Sequence, residues 1–241
     1  MPLALKLALS PLLVMQALAT RRRAPLLPEA AGARAGVVGD GPALRLLIVG
    51  DSSGAGVGVT TQDLALAGHL TRTLAQLARA QVHWQLIAKS GITTAQALEL
   101  VQRERPRPAD VAVAVLGVND VIDQVPTRRA VQQRAALADW LRLHTGVRHV
   151  VFAPLPPMHR FPLLPQPLRW IAGSDARRHD DAMAQWAATR GDVSHVPIAI
   201  SLAADCMAAD GFHPGEPVYR ACGEALARFI ATELFEKETS K

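Results

Sequence analysis

The sequence predicts an α/β fold in which helices cover both faces of a parallel β-sheet. Short apolar runs, typical of buried strands, alternate five times with longer stretches that repeat apolar residues at helical spacing. The run over residues 111–116 is apolar throughout, which is typical of a central parallel strand. The 241 residues are enough for one domain with a full hydrophobic core.

The predicted strands are short apolar segments, and the first of them stops at the sequence Gly50-Asp51-Ser52. Regular alternation of such strands with helices produces a central five-stranded parallel sheet. The strands span residues 44–49, 82–88, 111–116, 147–153 and 193–198.

The predicted helices carry start and stop signals at several of their ends. Pro106 ends the second helix, Gly146 closes the third, and Ser174 is a suitable N-cap for the fourth. Residues 154–173 are too apolar for a solvated loop and too rich in proline to begin a helix. We expect them to form a flap near the carboxyl edge of the sheet. The helices span residues 61–80, 93–105, 127–144, 174–190 and 215–235.

Residues 1–43 are expected to form an apolar and basic arm with a linker, followed by a domain over residues 44–241. Residues 1–39 hold five basic residues against Glu29 alone, so most of the net charge of +5 belongs to the arm. The uncharged apolar stretch over residues 7–19 is shorter than the ~20 residues that a helix needs to span a bilayer.

Three roles of this arm stay open. The Ala-x-Ala sequence at residues 17–19 resembles a signal-peptide cleavage site, which would make the protein exported. The arginine triplet at residues 21–23 opposes translocation and suits an anionic lipid surface, so residues 1–23 also fit an uncleaved, membrane-associated segment. The third role is an arm that folds onto the domain of a cytoplasmic protein.

Several classes of ligand are disfavoured. Aromatic residues make up 4% of the chain, too few for a protein that stacks nucleic-acid bases. The glycine-rich loop at residues 54–58 lacks the sequences of nucleotide-binding loops. No Cys/His spacing fits zinc, and His179 and its neighbour Asp180 are expected on a solvated helix face, so we expect no metal and no cofactor. Cys206 and Cys222 fit either a disulfide or two small buried side chains.

Chemically active residues follow the ends of the predicted strands. Ser52 follows the first strand, Gly91 the second and Asn119 the third. Asp210 and His213 lie between the fifth strand and the last helix. Because the carboxyl ends of parallel strands share one edge of a sheet, we expect these residues to converge on one crevice.

These five residues are the groups that acyl transfer to a serine requires. Ser52 is a poor nucleophile unless a base takes its proton, and His213 is the candidate base because histidine exchanges protons near neutral pH. Asp210 can hold the other ring nitrogen of His213. The backbone N–H groups of Ser52 and Gly91 and the side-chain amide of Asn119 can stabilise the oxyanion.

The order of these blocks resembles that of the SGNH, or GDSL-type, hydrolase family. Gly50-Asp51-Ser52 is similar to the first family block, Gly91 to the second, residues 117–120 to the third and residues 210–213 to the fifth. The resemblance covers residues 44–235. It implies a flavodoxin-like three-layer α/β/α sandwich and hydrolysis of carboxylic esters or thioesters by a serine mechanism without a cofactor.

Two positions depart from the usual family pattern. Ser53 stands where the first block usually has leucine, and Ser90 stands where the second block commonly has asparagine. The first of these positions varies widely and does not bear on the nucleophile. Because the second block lacks its common asparagine, the assignment of Gly91 as an oxyanion donor depends on its position after the second strand.

We therefore predict a serine esterase that hydrolyses esters with short to medium acyl chains through an acyl-enzyme intermediate. Its substrate is expected to be a small-molecule or lipid ester. The alternatives are a lysophospholipase or thioesterase, a carbohydrate O-acyltransferase, and a non-catalytic binding module on the same fold. Apolar side chains of the flap are predicted to wall the acyl pocket, namely Phe161, Leu163, Leu164 and Trp170.

Overall fold

Six β-strands form one sheet in the computed structural model, which describes residues 3–235. The strands are β1 (Ala35–Val38), β2 (Ala43–Gly50), β3 (Gln81–Ala88), β4 (Val111–Val115), β5 (His149–Phe152) and β6 (Val193–His195). They lie side by side in the order β1-β3-β2-β4-β5-β6. Neighbouring strands are parallel except for β1 and β3, which are antiparallel.

The predicted α/β architecture is confirmed, and strands β2 to β6 follow the flavodoxin-like strand order. The five predicted parallel strands are present as β2 to β6, and β1 adds a sixth, antiparallel edge strand that was not predicted. β1 lies within residues 1–43, which were predicted to be an arm and a linker. Its four residues include an alanine and a glycine, and none of them is fully buried, so no apolar run marks this strand in the sequence.

Helices cover both faces of the sheet and complete three layers. The helices are α1 (Leu3–Arg23), α2 (Leu66–Ala78), α3 (Thr94–Glu104), α4 (Val118–Ile122), α5 (Thr127–Thr145), α6 (Leu168–Ala187) and α7 (Glu216–Phe229). A π-helical segment, Ile230–Phe235, continues α7. α2 and α7 pack on one face of the sheet, whereas α3, α5 and α6 pack on the other.

Strand β2 occupies the centre of the sheet, and its side chains belong to both hydrophobic cores. Leu46 and Ile48 pack in the core on the side of α2 and α7, and Leu47 and Val49 pack in the core on the side of α3 and α5. All four side chains are fully buried. Successive side chains of a strand point to opposite faces, so a strand covered on both faces requires a continuous apolar run.

The start and stop signals in the sequence predict some helix ends correctly and others wrongly. Thr93 caps α3 through a capping box with Gln96, close to the predicted start. Ser174 lies inside α6, which begins at Leu168, so its prediction as an N-cap is wrong. The predicted flap therefore contributes its last residues to a helix, and its earlier part contains a 3₁₀ turn, Met158–Arg160.

The N-terminal helix α1 lies against the beginning of α6. The Gln16 amide donates to the backbone oxygen of Gln166 (2.7 Å) and accepts from the N–H of Leu168 (3.2 Å).

Within residues 3–235, no helix has the length and apolar character that crossing a membrane requires. Residues 1, 2 and 236–241, which the predicted arm and domain include, lie outside the described residues. The boundary at residue 44 and the three roles of the arm stay predictions.

Candidate active site

A tight turn after β2 presents Ser52 at the carboxyl edge of the sheet. A Cβ atom on Gly50 would lie 2.6 Å from the Cα of Gly54, so the turn cannot accept a side chain at residue 50. The Asp51 N–H donates to the carbonyl of Val115 at the end of β4 (3.1 Å). The nucleophile turn is thereby fixed to the neighbouring strand.

Ser52, His213 and Asp210 form a hydrogen-bonded chain. His213 Nε2 lies 3.1 Å from Ser52 Oγ, and His213 Nδ1 lies 2.5 Å from Asp210 Oδ2. Because an ionised carboxylate only accepts hydrogen bonds, Nδ1 carries the proton and Nε2 can accept the proton of the Ser52 hydroxyl. The structure thus brings Ser52 together with Asp210 and His213, which lie about 160 residues later in the sequence.

Asp210 is held in place by its own loop. Its Oδ1 atom accepts the backbone N–H groups of Phe212 and His213, both at 2.9 Å. Burial by itself raises the pKa of Asp210, but the hydrogen bonds from His213 and Phe212 outweigh burial and keep this pKa below its ordinary value. Asp210 is therefore ionised at neutral pH, as an acceptor that orients His213 must be.

Gly91 and Asn119 occupy the loops that follow β3 and β4. Gly91 has a φ of +78°, a conformation that glycine adopts without strain, and no described atom lies within 4 Å of the position that a Cβ would take. The Asn119 side-chain amide donates to the Ile92 carbonyl (2.9 Å), whereas its contact with Asp51 Oδ2 is 3.5 Å long. An amide nitrogen has two N–H groups, so the second one is available to a ligand.

Two buried carboxylates support these loops. Asp51 accepts the N–H of Ser53 (2.9 Å) and braces the nucleophile turn. Burial raises the pKa of Asp51 to about 7. Asp120 accepts the backbone N–H (2.8 Å) and the hydroxyl (2.6 Å) of Thr94, so the loop after β4 is joined to the start of α3.

Arg134 on α5 supports the same loops and was missed by the sequence analysis. Its buried guanidinium lies 3.5 Å from Asp120 Oδ2 and offsets that negative charge. A Cβ at Gly117, which has a φ of +124°, would collide with this guanidinium. No sequence signal marked Arg134, because α5 carries further arginines at residues 128, 129 and 142 that resemble it.

An apolar cavity opens beside Ser52 and His213 and extends towards the core between the sheet edge and α7. The polar side chains of its wall are those of Ser52, Ser53, His213 and Tyr219. The remaining wall consists of aliphatic, aromatic, proline and sulfur-containing side chains. The lining residues are Ser52, Ser53, Leu66, Val115, Val118, Ala153, Pro154, Pro156, Phe161, Ile200, Leu202, Met207, Phe212, His213, Pro214, Val218, Tyr219 and Cys222.

Of the four flap residues predicted to wall an acyl pocket, Phe161 lines this cavity and the other three do not. Leu163 lies beside the loop that carries Asp210, because its backbone N–H donates to the Gly211 carbonyl (3.1 Å). Leu164 is buried in the apolar cluster that also holds Phe161, but it does not reach the cavity wall. Trp170 is 49% exposed because α6 begins earlier than predicted and carries this residue in its first turn.

The expectation that His179 and Asp180 lie on a solvated helix face is wrong. His179 is 4% exposed, and Asp180 Oδ1 accepts from His195 Nε2 and from the Leu155 N–H, both at 2.8 Å. α6 packs against both α5 and β6, which covers this face.

In the described part of the chain, no cluster of three or more His, Cys, Asp or Glu residues could hold a metal ion. The two cysteines are free thiols.

Solved structures of lipases and esterases share the fold of this chain. The lipase Lip_vut3 from a goat rumen metagenome has a TM-score of 0.61 at 17% identity, over 78% of this chain and 97% of that one. The psychrotrophic esterase EstA from a Pseudoalteromonas species has a TM-score of 0.53 at 16% identity, over 82% of this chain and 99% of that one. The lipase/acylhydrolase from Enterococcus faecalis has a TM-score of 0.55 at 18% identity, over 78% of this chain and 95% of that one.

No curated protein matches the chain in sequence. The sequence pattern of the GDSL-like lipase/acylhydrolase family matches residues 48–221, which is more than half of the chain and includes every candidate catalytic residue. This match confirms the resemblance to SGNH, or GDSL-type, hydrolases, whose members act on esters. The chain therefore belongs to the GDSL-like lipase/acylhydrolase family.

Proposed function

We propose that this protein is a serine esterase that hydrolyses carboxylic esters through an acyl-enzyme intermediate. The observation that carries the proposal is the hydrogen-bonded chain from Asp210 through His213 to Ser52. Its distances of 2.5 and 3.1 Å place each proton donor within reach of its acceptor. A non-catalytic binding module on this fold has no need of such a chain.

In the proposed reaction, Ser52 Oγ attacks the acyl carbon while His213 Nε2 takes the hydroxyl proton. The carbonyl oxygen becomes an oxyanion, which the N–H groups of Ser52 and Gly91 and the amide of Asn119 stabilise. Collapse of this intermediate breaks the ester C–O bond, and His213 gives its proton to the leaving alkoxide. Water then attacks the acyl-enzyme by the same steps and releases the carboxylic acid and the Ser52 hydroxyl.

The cavity beside Ser52 supports uncharged acyl chains of short to medium length as the preferred substrates. Among the described residues, its wall includes no Asp, Glu, Lys or Arg side chain. Val218, Tyr219 and Cys222, all on α7, form part of the cavity wall. Burial raises the pKa of the Cys222 thiol to about 12, which fits apolar surroundings. An apolar chain gains more from such a wall than a polar one does.

We further propose that α1 associates with the surface of an anionic membrane. α1 contacts the body of the protein through Gln16, and several apolar side chains of the helix are exposed. Val14, Met15 and Leu18 are 58%, 61% and 53% exposed. The helix ends in an exposed arginine triplet at residues 21–23. Exposed apolar side chains beside basic residues are what an interfacial helix presents to anionic lipids.

The variant Ser52→Ala should lower kcat for p-nitrophenyl butyrate by at least ~10⁴-fold, because loss of the nucleophile leaves only binding and oxyanion stabilisation. The measurement is release of p-nitrophenolate. Ser174→Ala changes a serine inside α6 and is the matched control, with an expected wild-type kcat. A folded wild type without turnover of any p-nitrophenyl ester would contradict the esterase proposal, and acyl transfer to an added sugar in preference to water would favour the transferase.

The variant Cys222→Phe should shorten the accepted acyl chain, because Cys222 lines the cavity and the larger ring occupies part of its volume. We expect the ratio of kcat/KM for p-nitrophenyl octanoate over acetate to fall by about tenfold or more. Cys206→Phe, at the cysteine that does not line the cavity, should leave this ratio unchanged. Thermal melting checks that both variants fold. An unchanged ratio in folded Cys222→Phe would place the acyl chain elsewhere.

The full-length protein should sediment with vesicles rich in phosphatidylserine and far less with vesicles of phosphatidylcholine alone. The double substitution of Met15 and Leu18 by glutamate should abolish this binding, and added salt should weaken it because ions screen the arginines. Wild-type protein that stays in the supernatant with both kinds of vesicle would reject the membrane proposal.

A further inference from the structure

The segment over residues 29–34, which we call the strap, lies across two loops of the candidate active site. It precedes the domain boundary predicted at residue 44 and lies outside residues 48–221, which match the family. The side chains of Glu29 and Arg34 are about one third exposed, at 31% and 38%. The strap therefore belongs to this chain's own structure rather than to the family pattern.

The side chains of Glu29 and Arg34 hold the loop that carries Gly91. Glu29 Oε1 accepts the backbone N–H of Ser90 (2.7 Å), the residue directly before Gly91. Arg34 Nη2 donates to Glu29 Oε2 (2.5 Å), and Arg34 Nη1 donates to the carbonyl of Ala88 at the end of β3 (2.7 Å). The loop is thus held at two points that precede Gly91, at the end of β3 and at Ser90.

Hydrogen bonds, rather than packing, determine the position of Gly91. Residues 89–91 are exposed, and no described atom lies within 4 Å of the Cβ position of Gly91. On one side of Gly91, Ser90 is bonded to Glu29, and the Lys89 N–H donates to the Gly50 carbonyl (3.3 Å). On the other side, the Ile92 carbonyl accepts from Asn119. Removing the Glu29 carboxylate would free the Lys89–Ser90 peptide, which directly precedes the peptide that carries the Gly91 N–H.

The same strap is bonded to the loop that follows Ser52. The Ala30 N–H donates to the Ala55 carbonyl (3.1 Å), and the Gln62 side chain donates to the carbonyls of both Ala30 (3.1 Å) and Ala55 (3.0 Å). The two backbone donors proposed for the oxyanion, in Ser52 and Gly91, therefore lie in loops that are attached to one segment. Such an attachment fixes the distance between the loops.

The charges of the strap suit a place beside an oxyanion. A lone carboxylate there would repel the negative charge that develops in the transition state, but Arg34 neutralises Glu29. Burial raises the pKa of Glu29, and the hydrogen bonds from Ser90 and Arg34 outweigh it, so this pKa lies below its ordinary value. Glu29 is therefore an ionised acceptor for the Ser90 N–H at neutral pH.

We propose that Glu29 and Arg34 are positioning residues, which hold the N–H of Gly91 where the oxyanion of the proposed reaction forms. The inference rests on the proposed esterase function. It predicts that the strap affects the chemical step rather than substrate affinity, because the strap touches the loop and not the cavity wall.

The test compares Glu29→Ala with Glu29→Gln in the full-length protein. Glu29→Ala should lower kcat by roughly 10–100-fold and change KM less than about twofold, since a misplaced donor costs up to about 10²-fold. Glu29→Gln should recover most of kcat, because its side-chain carbonyl can still accept the Ser90 N–H. Glu104→Ala removes an exposed carboxylate that is paired with Arg103 and is the matched control, with wild-type kcat expected.

Amide hydrogen exchange at Ser90, measured by NMR, reports the loop independently of turnover. Exchange should be faster in Glu29→Ala than in the wild type and in Glu104→Ala. The wild type could lack esterase activity and still have a Ser90 amide that is protected from exchange and loses this protection in Glu29→Ala. That result would contradict the proposed function, but it would confirm the contact between Glu29 and Ser90. Wild-type kcat in folded Glu29→Ala, or a loss confined to KM, would overturn the positioning role.

Discussion

The candidate active site depends on the parallel register of β2 with β3 and β4. In this register Gly50 lies opposite Ala88 of one neighbour and Val115 of the other, so three strands end at the same level. Ser52, Gly91 and Asn119 follow these ends by two, three and four residues. Packing in the two cores fixes the register, because Leu46 and Ile48 fill one core and Leu47 and Val49 the other, and a shift of one residue would exchange them. The core of the protein thus sets the distances within the site.

Electrostatics then determine which loop conformations persist at that edge. The carboxylates of Asp51 and Asp120 are buried close to the nucleophile, where isolated charges are costly. Backbone N–H groups, the Thr94 hydroxyl and the Arg134 guanidinium satisfy them. The contacts of Asp120 with Thr94 and Arg134 join the loop after β4 to α3 and α5, and the contact of Asp51 with Ser53 braces the nucleophile turn itself. The polar interior beneath the site therefore fixes the loops in the way that the apolar cores fix the strands.

The sequence predicted the parts of this structure that leave a local pattern. Apolar runs marked the five parallel strands, and Ser52, Asp210 and His213 stood out because each residue type had a chemical reason to follow a strand. β1 left no such pattern, since it is short and half-exposed. Arg134 and Glu29 could not be found, because their partners Asp120 and Ser90 are distant in sequence and only the folded topology brings them together. Trp170 was misplaced because the true start of α6 lies within a proline-rich segment.

The central claim is that Ser52 is a nucleophile activated by His213, and covalent labelling tests it most directly. The structural neighbour EstA was crystallised in a form inhibited by monoethylphosphonate, which makes an organophosphonate a suitable probe. Mass spectrometry of the labelled wild type should show one phosphonate adduct, on Ser52, that forms in step with the loss of esterase activity. Ser52→Ala should remain unlabelled. A folded wild type that takes up no phosphonate, or takes it up at another residue, would contradict the claim.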